Sequence, residues 1–228
     1  MAGEVFGQAW ILYKRFWYHF LPIALVIFLV LSVVSVVLGL LFGVFGLFLA
    51  FVASLVGIFW LQGALTLAVQ DVRDGRADLS IGETISRVGP YVGTLLAAGV
   101  LAGLGIVIGL VFLIAPGLLL ATWWALIVPV IVLEHKGVFD SFGRSRELVS
   151  GHGWQVLGVI VLGFLITIGA SILLALLLIW IPGVGGAFIR NLVSNTLITP
   201  LIAAAWTLMN FRLHEEQAEQ VPEPAPAL

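Results

Sequence analysis

The sequence contains no cysteine. Disulfides, thiolate nucleophiles, thiolate-bound zinc and iron–sulfur clusters are therefore excluded. Charge is also scarce. Asp, Glu, Lys and Arg make up 10% of the 228 residues, against about 25% in an ordinary soluble domain. The net charge of -2 supplies no global basic field for a polyanion, so no nucleic-acid partner is expected. No His-Glu-x-x-His or Gly-x-Ser-x-Gly pattern occurs, and with them go the usual signatures of zinc hydrolysis and of a nucleophile elbow. The first residues lack the ordered basic region, apolar core and small-residue site of a cleaved signal peptide. Glu4 and an aromatic-rich run over 6–20 stand there instead.

What is present in excess is apolar mass. Hydrophobic residues form 61% of the chain, where soluble domains hold about 45–50%. A domain of this length buries only about three quarters of the surface its unfolded chain exposes. The surplus has to face lipid, which excludes a cytosolic enzyme and a disordered regulator. Six stretches are long enough to cross a bilayer as helices of about 20 residues, at 21–41, 47–69, 91–114, 116–133, 154–179 and 188–209. Gly39, Gly43 and Gly46 break the first from the second, Ala115-Pro116-Gly117 the third from the fourth, and Pro182-Gly183 the fifth from the sixth. The stretches do not alternate polar and apolar residues as the strands of a membrane barrel do.

The basic residues orient this array. Lys14, Arg15, Arg73, Arg76, Arg87, Lys136, Arg144, Arg146 and Arg212 fall on one side of a six-span topology, nine of the ten in the chain, and only Arg190 falls on the other. The positive-inside rule then places both termini in the cytoplasm. An even number of spans requires the same.

Three segments on that side have helical periodicity. Phe6, Ala9, Trp10, Tyr13, Phe16, Trp17 and Phe20 recur at three-to-four residue steps. Ser80-Ile81-Gly82-Glu83 reads as a capping box, followed by Ile81, Ile85 and Val88 on one face. Phe139, Phe142 and Val149 share a face of a third segment. The expected fold is an all-α membrane protein of six transmembrane helices and three cytoplasmic interfacial amphipathic helices, at about 4–20, 79–89 and 138–150. It reads as three repeats of an interfacial helix followed by a pair of spans. The membrane domain covers 1–213. Residues 214–228, rich in Glu and Pro, are expected to form a disordered cytoplasmic tail.

Ionisable residues inside membrane spans mark transport paths, and the six interiors hold essentially none. Their polar residues, among them Ser32, Ser35, Ser54, Thr66, Thr122 and Thr167, fit hydrogen bonds between helices or back to their own helix. Asn191, Asn195, Thr196 and Thr199, beside Pro200, form the densest polar set. They line a polar cavity or act as packing contacts. Small residues at Ala98, Ala102, Gly105 and Gly109, with Gly99-x-x-x-Gly103 and Gly39-x-x-x-Gly43, serve close helix approach. That approach is either within the chain or toward a second copy or another membrane protein. Around the fourth span, Glu134 with Arg144 is expected to form a structural ion pair. Lys14, Arg15, Arg87, Arg144 and Arg146 are candidate contacts for anionic lipid headgroups. His135 and His152 flank Ser141 and Ser145 without a catalytic spacing, so no catalytic residue, metal or cofactor is expected.

The stretch 116–154 carries Pro116-Gly117-Leu118-Leu119, the Trp123-Trp124 pair, Pro129-Val130, Glu134-x-x-Gly137 and Arg144-Ser145-x-Glu147-Leu148, and it ends at Trp154. The chain opens with Phe6-x-x-Ala9-Trp10 and Phe20-Leu21. In these features it resembles the membrane domain found beside glycerophosphoryl diester phosphodiesterases and its stand-alone YciC-type relatives. The resemblance implies a prokaryotic plasma-membrane protein of about six helices. It implies no activity for the membrane module, and neither phosphodiesterase chemistry nor catalytic residues carry over. The expected function is non-enzymatic, a lipid-interacting or assembly module. The alternative is a small transporter or channel for an apolar or amphipathic solute.

Overall fold

Long apolar runs, interrupted by glycine, an extended residue or short turns, set the helix boundaries. The computed structural model describes residues 2–181 and 183–219. Among these, nine α-helices and one 3-10 turn account for the regular structure, with no strand. They are α1 (Ala2–Arg15), α2 (Trp17–Asp71), α3 (Ile81–Arg87), α4 (Val92–Phe112), α5 (Ile114–Trp123), α6 (Ile127–Glu134), α7 (Val138–Val149), α8 (Gly153–Leu177) and α9 (Gly183–Glu219). Five helical stretches are long and apolar enough to cross a membrane.

The 55 residues of α2 would extend about 80 Å if straight, far beyond a hydrocarbon core of about 30 Å. They do not run straight. Gly43 leaves the helical region at φ 56° and ψ -130°, a conformation open to glycine alone. Beyond it the chain folds back along itself. Gly57 faces the Leu31 side chain, and Gly46 sits directly against the Leu38 carbonyl. Gly39-x-x-x-Gly43 thus serves a reversal, not a stripe between separate helices.

The turn between α4 and α5 lies earlier than expected. Leu113 is extended, at φ -158° and ψ 136°, and Pro116 falls in the first turn of α5, where its missing N–H leaves no helical bond unmade. Gly117 is needed there for contact. A Cβ on Gly109 of α4 would lie 2.9 Å from the Gly117 Cα. Gly105 accepts the Trp124 ring, and Gly99 the Phe59 ring. The small-residue face of α4 therefore packs inside the chain, apart from Gly103, which has open space around it.

Two expectations are corrected. Helix α9 runs through Glu219, so 214–219 are ordered helix and not tail. No glycine or proline lies between Pro200 and Pro222 to end it, and the helix finds polar partners described below. Residues 220–228 lie outside the described residues. In α7 the buried face is Ser141, Ser145, Leu148 and Val149, with Phe142 packed beside it, and Phe139, 80% exposed, does not share that face as expected. The capping box of α3 is present. Ser80 Oγ accepts the Glu83 N–H, and the Glu83 carboxylate accepts the Ser80 N–H at 2.9 Å. The first periodic segment breaks at Phe16, separating α1 from α2.

The buried core is lopsided. It gathers the first turns of α2, its last turns, the starts of α4 and α8, the whole of α6, and Ala203–Leu213 of α9. Apolar residues near the opposite ends, such as Leu40, Val44, Val111, Phe112 and Trp180, are exposed. In water this would be untenable, and against acyl chains it costs nothing.

Candidate functional site

The fourth apolar stretch is broken at Trp124–Leu126, between α5 and α6. Buried Ser145 of α7 holds the break. Its hydroxyl donates to the Trp123 carbonyl at 2.7 Å and accepts the Leu126 N–H at 3.2 Å. Phe142 meets the Trp124 ring edge-on at 4.9 Å. Ser145→Ala should cost about 2 kcal/mol by stranding two buried backbone groups, read as a lower melting temperature in detergent. An unchanged melting temperature would show that the hydroxyl does not hold the break.

The preceding residue of α7, Arg144, reaches Glu134 at the end of α6, with Nε 3.0 Å from Oε2. The same guanidinium approaches Glu147 at 3.5 Å, Gln217 at 3.4 Å and His214 at 3.2 Å. His214 Nε2 also lies 2.9 Å from Glu134 Oε1. Its Nδ1 faces the Asn210 carbonyl at 2.9 Å, which can only accept, so Nδ1 carries a proton. Gln217 returns a bond to the Glu147 carbonyl at 3.1 Å. The ion pair expected from the sequence is thus the centre of a larger polar lattice.

The last turns of α9 extend that lattice to every neighbouring segment. Glu216 lies 3.1 Å from His152 and 3.4 Å from Arg212. Glu215 pairs with Arg73 beyond the end of α2, and the Arg73 guanidinium sits over the Phe211 ring at 4.3 Å. Arg212 reaches Glu4 of α1 at 3.1 Å and holds that carboxyl below the ordinary carboxylate range. A lowered folded-state pKa means the tie is present at neutral pH and is lost as pH falls below the ordinary value of 4.5. Sequence reasoning missed this lattice. The signal was there in Arg212 and Glu216, an i,i+4 pair that extends the helix.

It also missed His19 and Asp71, whose side chains are both largely covered, with His19 Nε2 3.9 Å from the Asp71 carboxylate. A reversal near Gly43 places those two positions side by side. Tyr91 bonds His135 at 2.6 Å with their rings stacked.

The expected headgroup cations divide. Arg144 is occupied within the lattice. Lys14, Arg15, Arg87 and Arg146 are exposed. Lys14 lies 5.5 Å from the Trp10 ring, Arg15 lies 5.4 Å from the Phe16 ring, and Arg146 lies 4.4 Å from the Trp123 ring. Arg87 follows Glu83 by one helical turn. Trp10 is exposed on α1, and Trp17, Tyr18 and Trp154 are exposed in the first turns of α2 and α8.

The polar set of α9 also divides. Asn191 and Asn195 line a cavity of about 410 Å³ with Ser32, Ser35 and Ser54 from the two arms of α2. Thr196 is buried and borders a separate recess beside Trp17, Pro22 and Leu25. Thr199 lines neither. Ser35, Ser54, Thr66, Thr122 and Thr167 all donate to carbonyls four residues earlier, the back-bonded geometry expected of hydroxyls in apolar helices. Arg190 is bound to the Ile181 carbonyl at 2.8 Å. Among the described residues, no group of three His, Asp or Glu side chains converges as a metal site would require.

No family model matches the chain, and no solved structure matches it. Over 162 residues, 71% of its length, the chain is 31% identical to a UPF0259 membrane protein of Pectobacterium carotovorum subsp. carotovorum (strain PC1). The match spans 62% of that protein, whose name states a membrane protein and no activity. With five helices long and apolar enough to cross a bilayer, the chain is a multi-pass membrane protein.

Proposed function

We propose that this protein is a non-enzymatic, lipid-interacting module of a prokaryotic plasma membrane, akin to the glycerophosphoryl diester phosphodiesterase membrane-domain and YciC-like proteins. The fold-back at Gly43 turns α2 into two crossings, giving six. The nine basic residues on one side then put both termini, α1, α3 and α7 at the cytoplasmic surface. The observation that carries the lipid reading is a set of exposed cations packed against aromatic rings, the exposed Trp10, the half-buried Trp123 and the buried Phe16. Among the described residues, no carboxylate within 4 Å neutralises Lys14, Arg15 or Arg146, and each sits against an aromatic ring. Trp rings such as Trp10 and Trp123 favour the headgroup layer, and each cation held there contributes about 1 kcal/mol toward anionic lipid.

Lys14→Ala with Arg15→Ala and Arg146→Ala should lower retention of phosphatidylglycerol in native mass spectrometry at least about tenfold. Retention of phosphatidylethanolamine should change little. The charge-preserving exchange of Lys14→Arg with Arg15→Lys should behave as the parent. Equal phosphatidylglycerol retention in the parent and the triple variant would reject the reading. The second reading, a carrier of an apolar or amphipathic solute, is favoured by the cavity between α2 and α9.

A further inference from the structure

The cavity has a hydrogen-bonding character that its composition alone does not reveal. Its polar atoms come from three helical segments. Ser32 and Ser35 lie on the first arm of α2, Ser54 on the second, and Asn191 and Asn195 on α9. No lining residue is ionisable, so a phosphate or an ammonium would enter without a counter-charge, at a cost no apolar wall offsets. The rim includes Val36, Ile58 and Phe188, all exposed on the apolar surface. Access is therefore from lipid.

Most of the donors are already engaged. Ser35 gives its hydroxyl proton to the Leu31 carbonyl at 2.7 Å, and Ser54 gives its own to the Ala50 carbonyl at 2.8 Å. Asn195 Nδ2 donates to the Asn191 carbonyl at 2.9 Å and to the Asn191 side-chain oxygen. A backbone carbonyl cannot donate, so that amide orientation is forced. What remains is a set of acceptors at Ser35 Oγ, Ser54 Oγ and Asn195 Oδ1. Asn191 Nδ2 and the Ser32 hydroxyl are left to donate. A ligand that completes this set must bring several O–H donors, at least one acceptor, no charge and an apolar chain.

We propose that the cavity binds the uncharged, hydroxyl-bearing head of a single-chain neutral lipid, with monoacylglycerol as the matching chemistry. The two glycerol hydroxyls donate to the serine and asparagine oxygens. The ester carbonyl accepts from Asn191, and the acyl chain leaves past Val36 and Phe188 along the exposed arms. A volume of about 410 Å³ lies within the range of about 300–1,000 Å³ typical of small-molecule sites, enough for the head and the first part of the chain. This site shares no residue with the cationic surface and does not depend on it.

The test uses the full chain in detergent and native mass spectrometry with monoolein as the probe. One-to-one monoolein binding is expected. Methyl oleate, with the same chain and no hydroxyl, should bind at least tenfold more weakly to the unaltered protein. Ser32→Ala with Asn195→Ala should weaken monoolein about tenfold, with the melting temperature recording whether the fold is kept. The methyl oleate comparison stands even if that variant does not fold. Equal binding of monoolein and methyl oleate would overturn the proposal. So would undiminished monoolein binding in a folded variant, or displacement of monoolein by equimolar dioleoylphosphatidylglycerol.

Discussion

Gly46→Val is expected to be the most damaging single substitution in the first hairpin. A side chain at that position would overlap the Leu38 carbonyl oxygen across the reversal. The obstacle is backbone and cannot rotate away, so the two arms of α2 must part. Overpacking in a well-packed region costs about 1–3 kcal/mol, and a backbone overlap belongs at or above the upper end. At about 2–4 °C per kcal/mol for a chain of this size, melting in detergent should fall by roughly 6–12 °C. The parting also opens the cavity shared with α9. Gly103→Ala is the matched control, since no atom lies within 4 Å of its Cβ position. It should be neutral or stabilise by about 0.5–1 kcal/mol, the helix preference of alanine over glycine. If Gly46→Val and Gly103→Ala melt alike, the fold-back at Gly43 is wrong.

Arg144→Ala should have the second largest effect, and it acts on stability rather than on lipid. The side chains of Arg144 and Glu134 are 27% and 19% exposed, so removing the guanidinium leaves a half-buried carboxylate facing only His214. Breaking a fully buried pair costs about 3–5 kcal/mol, and partial exposure reduces this to about 2 kcal/mol. Glu147, His214 and Gln217 lose a partner at the same time. The last turns of α9 should therefore loosen, seen as faster amide hydrogen exchange over 212–219. Arg144→Lys should restore only part of the loss, because one ammonium cannot serve a carboxylate, an amide and an imidazole as the planar fork does. Glu134→Gln combined with Arg144→Ala should cost less than the sum of the two. Additive effects, or unchanged exchange at the end of α9, would contradict the lattice.

These two positions show what kind of information each level holds. Glu134 and Arg144 were legible as a pair because both flank one short connection, ten residues apart. Gly46 was legible as part of a break between apolar runs, because glycine clusters interrupt helices whatever surrounds them. The capping box at Ser80 and Glu83 was legible for the same reason, being satisfied within four residues. The role of His214, Glu215 and Glu216 was not. Their partners lie at Glu134, Arg73 and His152, and an acidic, proline-containing end reads as solvated chain until a folded surface is there to receive it.

The sequence by itself determined the solvent of this protein and the arrangement of its charge. An apolar share of 61% with 10% charge leaves a bilayer as the only medium, and helices follow because backbone bonds must close locally in lipid. Tertiary structure alone decided which groups are free. It took Arg144 out of the lipid-facing set and into a lattice, split the α9 polar residues between two recesses, and drew the serines of α2 toward Asn191 and Asn195. Those outcomes depend on which side chains meet across distant helices. Periodicity along one helix names a face, but only packing names what that face touches.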